Sequence, residues 1–358
     1  MSELGSAEAV LEVVHGDGAS PYSATVSRTN QGAMHFEAVR NPSESTFEEL
    51  AAHDPGNPFV TNAYIRSRVA LGEKVCLLRV RNGSGTVTSC PVFLKGGFLK
   101  RRLQIVSLPT LPCPDLFWAG LVQLCCSWGV WLLQVDSYGS LVAKIPELLG
   151  EMHRHHRVEY VLDLDHDVFD VPSHNHRRDI ARARKLGLVV KRSSEVEACR
   201  DHTRLMAASM NRRTERGEHL NVELDPALPE ALLANGAGEL FQAVRGGEVL
   251  ASLLVLRSKT GGYYHSAGNS PQGMKWGASP FLLASVADIL KNEGAEFVNI
   301  GGTGPENAGL MRFKSGFGAR EIPLQSACFC PGSLLRREIR HTACWVHQLA
   351  GTLAHFGD

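Results

Sequence analysis

Two stretches of this 358-residue chain carry the same pattern, and the repetition constrains the fold more than any single motif. Val75–Val80 and Thr86–Leu94 are β-prone apolar runs joined by the turn Arg81-Asn-Gly-Ser-Gly85. Glu239–Val244 and Val249–Leu256 repeat the arrangement about Gly246-Gly247, and a third run follows at Gly261-Gly-Tyr-Tyr-His265. Each hairpin is followed by an apolar helix and a short buried strand. After the first these are Leu121–Trp128 and Val130–Val135. After the second, Ser279 is expected as N-cap and Pro280 as first helical residue, with Leu282, Leu283, Val286, Ile289 and Leu290 facing inward, Gly294 as the stop, and Phe297–Ile300 as the strand. The pattern predicts two copies of one α/β unit, divided near Asp165–Ser173, where Pro172 and charged residues gather.

The chain is long enough for two such domains. Lysine plus arginine (37) equals aspartate plus glutamate (37), so a polyanionic partner must bind a local patch. The N-terminus carries acids in place of the basic and apolar segments of a signal peptide. Leu116–Leu133 lacks charge, but Gly120, Gln123, Ser127 and Gly129 interrupt it, which favours a buried helix running into a strand over a membrane span. Nine cysteines without a CxxC fit neither a disulfide framework nor a zinc ribbon, and a reducing cytoplasm is the expected location. His153, His155 and His156, and the pair His174 and His176, lack the spacing and acidic partner of metal ligands. They are read as solvated or polyanion-facing histidines, and no metal or cofactor is expected.

The expected organisation is a loosely tied arm over 1–35, an N-terminal domain over 36–168, a C-terminal catalytic domain over 169–331 and an amphipathic helix over 332–358. That last helix places Leu335, Ile339, Thr342, Val346, Leu349, Leu353 and Phe356 on one face, for docking onto the domain or for a homodimer contact; a membrane-surface role ranks third, and no integral membrane contact is expected. A helix over Asn175–Leu186, capped by Asn175 and ended by Gly187, aligns Arg178, Arg182 and Lys185. Arg177, Arg184, Lys191 and Arg192 raise the charge density further, so phosphate binding competes with a merely solvated face. The next helix, Glu195–Arg213, turns Val196, Cys199, Thr203, Met206 and Met210 inward and leaves through Arg212, Arg213 and Arg216.

After Phe297–Ile300 comes Gly301-Gly-Thr-Gly-Pro-Glu-Asn-Ala-Gly-Leu-Met-Arg-Phe-Lys-Ser-Gly-Phe-Gly318. Locally this is either a backbone cradle with a lysine placed where negative charge develops, or a loop with a solvated lysine. Phe313-Lys314-Ser-Gly-Phe317 resembles the Phe-Lys-x-Gly-Phe signature of the Fem-like branch of the GNAT superfamily. Tyr160–Leu164 with Asn175–Gly187 resembles the strand and basic helix that open the C-terminal domain there, and the resemblance spans roughly 58–323. It implies two tandem GNAT-like domains of α/β (α+β) type, each a mixed, mostly antiparallel sheet flanked by helices. It further implies transfer of an amino acid from aminoacyl-tRNA to the amine of a small molecule or a cell-wall precursor. On that likeness Lys314 stabilises charge at the reacting ester and Phe313 shapes the pocket. Arg212 or Arg216, Tyr264 and Arg68 hold the acceptor, while Arg177, Arg178, Arg182, Arg184, Lys185 and Lys275 face the donor's phosphates.

Amide formation from an ester needs an oriented amine, an oxyanion donor and a proton route, but no covalent nucleophile. Accordingly the chain has no GxSxG elbow. The competing chemistry is acyl-CoA-dependent N-acylation, which uses a Gln/Arg-x-x-Gly-x-Gly/Ala pyrophosphate loop before a helix. Gln272-Gly-Met-Lys-Trp-Gly-Ala278 matches that loop poorly, because its glycine and alanine are adjacent and its glutamine is one residue too distant. A third reading, a non-catalytic GNAT-like binding module, makes Lys314 dispensable.

Overall fold

Gly246 and Gly247 adopt φ of 57° and 85°, the two positive values that a type I′ turn requires, and set Glu248 opposite Arg245 in the second repeated hairpin. The computed structural model describes residues 22–26, 34–82, 85–97, 100–140, 144–165, 172–195, 197–215, 217, 226–304 and 307–331. In chain order the elements are β1 (Tyr22–Val26), β2 (Met34–Arg40), α1 (Glu44–His53), α2 (Asn62–Ala70), β3 (Lys74–Asn82), β4 (Gly85–Lys95), β5 (Arg102–Ile105), α3 (Pro114–Ser127), β6 (Leu132–Val135), β7 (Glu151–Asp163), α4 (His174–Lys185), β8 (Val189–Ser193) and α5 (Glu197–Thr214). They continue with α6 (Ala227–Ala234), β9 (Gly238–Arg245), β10 (Glu248–Arg257), β11 (Gly261–Asn269), α7 (Pro271–Trp276), α8 (Ala278–Asn292), β12 (Phe297–Thr303), α9 (Ala308–Ser315) and β13 (Arg320–Phe329).

Contacts divide the chain into two units that are each discontinuous in sequence: 1–43 with 73–155 and 325–358, and 44–72 with 156–324. In the first unit the strand order is β1-β2-β3-β4-β5-β6-β13, antiparallel throughout except for the parallel pair β5/β6 that α3 connects. Its core gathers Phe36, Leu78, Val92 and Ile105 from the strands against Phe117 and Leu121 of α3. In the second unit the order is β7-β12-β11-β10-β9-β8, again antiparallel except for one pair, β11/β12, bridged by α7 and α8. Here Phe241, Leu253 and Val255 pack with Phe281, Leu282 and Val286 of α8. Both units therefore repeat one motif, an antiparallel meander followed by a helical crossover to a parallel strand, and this is the tandem α/β arrangement expected.

Several boundaries differ from the sequence reading. The units are not the linear spans 36–168 and 169–331, because β6 takes β13 as its outer neighbour and β12 takes β7. Residues 44–72 join the second unit, where Phe59 stacks edge-on against Tyr263 at 4.8 Å. The stretch read as a loose arm contains β1, paired with β2. Ser173, not Asn175, caps α4, accepting from the His176 amide; at the other end Leu188 N–H reaches the Ala183 carbonyl at 3.1 Å and Gly187 takes φ 75°, a Schellman closure. Helix α8 begins at Ala278 without a side-chain cap, because α7 runs straight into it through Gly277 at φ 73°; Ser279 and Pro280 thus lie inside its first turn, where proline's missing N–H costs nothing. The amphipathic helix expected over 332–358 and Val196 lie outside the described residues.

Helix α5 lies directly on β11. A Cβ at Gly268 would sit 2.3 Å from the Leu205 carbonyl carbon and 2.4 Å from the Met206 nitrogen, both backbone atoms. The buried residues of α5 are accordingly Cys199, His202 and Leu205, while Thr203, Met206 and Met210 are only half-buried. Gly268→Ala is expected to lower stability by about 2 kcal/mol or more, since neither backbone can yield without lifting the helix. Denaturant unfolding checks this, and a change below about 0.5 kcal/mol would contradict the close approach.

Candidate active site

The glycine-rich stretch is not the open loop its composition suggests. Its first residues extend β12 through Gly301 and Gly302, where the register with β7 shifts between Asn299 and Gly302 and Gly301 takes φ 74°. Its last residues form α9, capped by Asn307, whose side chain accepts from the Leu310 amide at 3.1 Å. Lys314 falls in the final turn of α9 and is 4% exposed, so it is a buried cation.

The residues of the Phe-Lys-x-Gly-Phe run divide between two sides of that turn. Phe313 and Phe317, at i and i+4, hold the His176 ring, with centroids 5.2 and 4.4 Å away. His176 Nε2 lies 3.0 Å from the Phe313 carbonyl, which can only accept, so Nε2 carries the proton. A Cβ at Gly316 would come within 2.8 Å of the His176 Cε1, so glycine there lets the imidazole approach. The Ser173 amide donates to the Gly316 carbonyl at 2.7 Å, tying the start of α4 to the end of α9. His176, grouped by sequence with solvated histidines, is instead a packed ring whose basicity is reduced by burial. His153, His155, His156 and His174 are exposed, with the Nε2 atoms of His153 and His155 in contact.

Lys314 points away from this aromatic clamp. Its Nζ donates to the Gly302 carbonyl at 2.8 Å and lies 5.7 Å from the Tyr264 ring centroid. Burial pulls its pKa down to about 7; Glu159 opposes that shift and Arg157 adds to it. Glu159, fully buried on β7, went unremarked in the sequence, as did its partners. Its Oε1 accepts from Tyr263 OH at 2.7 Å and Arg157 Nη2 at 3.0 Å, and its Oε2 accepts from Asn299 Nδ2 at 2.7 Å. Asn299 Oδ1 in turn accepts from the Gly301 amide at 2.8 Å. No sequence signal marks this network, because Glu159 meets Tyr263 and Asn299 only through strand pairing.

The other expected site residues line up along β11. Tyr264 is half-buried beside Lys314, and burial raises its phenol pKa. Arg68 on α2 donates to Tyr64 OH at 2.9 Å and contributes, after burial, to holding His265 down at about 4. Arg212 donates to the Asn269 carbonyl at 2.5 Å and to Ser209 Oγ at 3.0 Å, so it braces α5 against the end of β11. Arg216 lies outside the described residues. A second buried histidine, His202, bridges Ser252 and Ser266 at 2.9 Å each. Arg177, Arg178, Arg182, Arg184 and Lys185 are all exposed on α4. Arg178 and Arg182 pair with Asp179 at 3.8 and 3.3 Å, and Arg182 also donates to the carbonyl of exposed Lys275 at 3.0 Å. No cluster of three or more potential metal ligands occurs among the described residues, and no helix among them is long and apolar enough to cross a membrane.

Comparison with known proteins places this arrangement. Residues 173–315 match the family model of an acetyltransferase (GNAT) domain. That stretch, which runs from the start of α4 to the end of α9, is where the sequence itself is GNAT-like. FemX superposes with a TM-score of 0.62 at 11% identity, over 81% of this chain and 96% of FemX. A tandem GNAT protein from the clavulanic acid biosynthesis pathway, solved without acetyl-CoA, gives 0.52 at 14% identity over 84% and 99%. L-PGS from Bacillus licheniformis gives 0.50 at 15% identity over 82% and 94%. At such identities the likeness is one of fold. No curated protein sequence matches the chain significantly. Within the matched residues, β11 and β12 pair only over Gly261–Tyr263 and Phe297–Asn299, so their ladder ends just before the residues that surround Lys314.

The buried cation has a measurable signature in stability. Its folded pKa, about 7, lies below its unfolded value near 10.5, so between those pH values the unfolded chain binds one more proton than the native state. Its contribution therefore makes stability rise with pH across that window, and the full penalty stands below about pH 7. Lys314→Met should raise the thermal midpoint at pH 6 and flatten the rise above pH 7. Parallel stability curves for variant and wild type would show that Lys314 is not desolvated.

Proposed function

We propose that this GNAT protein is an aminoacyltransferase that forms an amide between an aminoacyl ester and the amine of a small-molecule or cell-wall-precursor acceptor. The observation that supports it most is the buried ammonium of Lys314, set in a dry corner against a backbone carbonyl and an aromatic face. A cation so placed is strong toward a developing oxyanion and needs little reorganisation. The acceptor amine attacks the ester carbonyl, Lys314 donates to the tetrahedral oxyanion, and collapse expels the ester oxygen as an alcohol. The amine's extra proton ends on that alcohol, so no redox partner or covalent enzyme intermediate is needed. Tyr264 borders the lysine, and Arg68 and Arg212, farther along β11, are the acceptor-binding candidates.

Aminoacyl-tRNA is the preferred donor. Two features favour it, beside the Fem-like motif. The exposed basic face of α4 suits a polyphosphate backbone. The N-terminus of α8, where an acyl-CoA enzyme would seat pyrophosphate, is joined to α7 and closed by α4: a Cβ at Gly277 would lie 2.5 Å from the Asp179 carbonyl oxygen, and the Asp179 side chain brings negative charge there. The match to an acetyltransferase family keeps acyl-CoA as the second reading.

Charged tRNA and acetyl-CoA, supplied in parallel with candidate amines, distinguish the two by product mass. Ribonuclease-sensitive product from charged tRNA is expected, with activity at limiting donor falling steeply between about 50 and 200 mM salt. Arg178→Glu with Lys185→Glu should flatten that slope; Arg182 is spared because it also braces α7. Lys314→Met should lower turnover by about 100-fold or more, the scale of a lost oxyanion donor. Product from acetyl-CoA alone, insensitive to ribonuclease, would overturn the tRNA reading.

A further inference from the structure

We propose that Glu159 is the positioning residue of this site, holding the Gly301–Gly302 bulge through Asn299 so that the Gly302 carbonyl and the glutamate's own charge together fix the Lys314 ammonium. The proposal rests on the reading of Lys314 as the catalytic cation.

The connection is continuous. Glu159 Oε2 accepts from Asn299 Nδ2 at 2.7 Å, Asn299 Oδ1 accepts from the Gly301 amide at 2.8 Å, and the Gly302 carbonyl accepts from Lys314 Nζ at 2.8 Å. The bulge makes the last step possible. In a regular ladder, alternate residues keep their alternation through the strand, but the register shift between Asn299 and Gly302 re-aims the Gly302 carbonyl. Gly301 at φ 74° accepts this without the cost a side chain would impose, and a Cβ there would stand 3.3 Å from Lys314 Nζ and 3.2 Å from the Tyr264 carbonyl oxygen.

Glu159 is itself over-determined. Tyr263 OH and Arg157 Nη2 hold Oε1 at 2.7 and 3.0 Å, and the glutamate has no exposed surface. A buried carboxylate with three donors is not a passive filler, since an apolar side chain would fill the space without the desolvation cost. The charged and titratable groups around Lys314 are Glu159 and Arg157 from β7, Tyr263 and Tyr264 from β11, and, through the Phe313 carbonyl, His176 from α4. Glu159 and Arg157 act on the lysine with opposite sign, which separates a charge-positioning role from mere packing.

The test needs no substrate. Protein containing lysine labelled with carbon-13 at Cε is titrated by NMR, with Lys314→Arg assigning the signal. Wild-type Lys314 should titrate with a midpoint near 7, far below the other lysines. Glu159→Gln, nearly isosteric but neutral, should move the midpoint down by about one unit, and Arg157→Gln should move it up. Asn299→Ala leaves Glu159 charged but frees the bulge, and should let the midpoint climb toward an ordinary lysine as water enters. Midpoints equal to wild type in Glu159→Gln and Asn299→Ala would overturn the proposal, and should Glu159→Gln fail to fold, Asn299→Ala decides alone. With the correct substrates, Glu159→Gln should lower kcat at least about tenfold with the acceptor KM little changed, and its alkaline limb should move with the NMR midpoint. Shifted midpoints in an enzyme whose turnover ignores Lys314→Met would refute the catalytic role of the lysine while leaving the positioning intact.

Discussion

A protonated amine taken out of water is among the costliest things a fold can contain, and the second unit is arranged around one. Desolvation alone would drive Lys314 to its neutral form, so whether any charge survives depends on what surrounds it. One backbone carbonyl, one aromatic face and one carboxylate at longer range provide the compensation. That compensation requires something further. The carbonyl requires the bulge and its glycines, the carboxylate requires Tyr263, Arg157 and Asn299, and α9 must be anchored so that its last turn points the lysine inward. The anchor is the clamp of Phe313 and Phe317 on His176, with Gly316 small enough to admit the ring.

The first unit shows what the same strand plan becomes without that cation. It too has a parallel pair reached by a helical crossover, but at the end of β6 stands Asp136, buried, with its Oδ2 accepting from Gln104 and Gln134 at 2.9 and 2.7 Å. Two neutral amides donate to the carboxylate there. A duplicated scaffold can thus place a buried carboxylate brace in each copy, within β7 in one and just past β6 in the other, with a buried lysine beside only the first among the described residues. The pairing of scaffold with chemistry is local, which is why a likeness of fold leaves the reaction to the side chains.

What could be read from the sequence was whatever depends on near neighbours. The hairpins were legible because alternation and paired glycines are local signals, and so were α3 and β6, since an apolar run broken by Gly120 and Gly129 cannot span a bilayer comfortably. Lys314 was legible only as part of a motif; its helix was not, because glycines at both ends of a short segment look like a loop until Asn307 is seen to cap it. The start of α4 differs from the sequence reading because Ser173 and Asn175 are both good capping residues, and the tie to Gly316 fixes the cap at Ser173. Glu159, Asn299 and His202 were invisible. Tyr263 and Asn299 meet Glu159, and Ser252 and Ser266 meet His202, from strands dozens of residues away, and the tertiary placement that brings them together is not encoded in composition or periodicity.

Register also explains why the site and the scaffold cannot be varied independently. Sliding β12 against β7 by one residue would turn Asn299 away from Glu159 and move the Gly302 carbonyl out of reach of Nζ, removing both supports of Lys314 at once. Val298 and Ile300, buried on β12, pack into the same core as α8, and Tyr263 of the neighbouring β11 packs against Phe59. Hydrophobic burial on alternate residues of β12 thus fixes the register, the register fixes the bulge, and the bulge fixes the lysine. The apolar core of the second unit is in this sense part of its electrostatics, because the alternation that keeps water from Val298 and Ile300 also decides which carbonyl meets the ammonium.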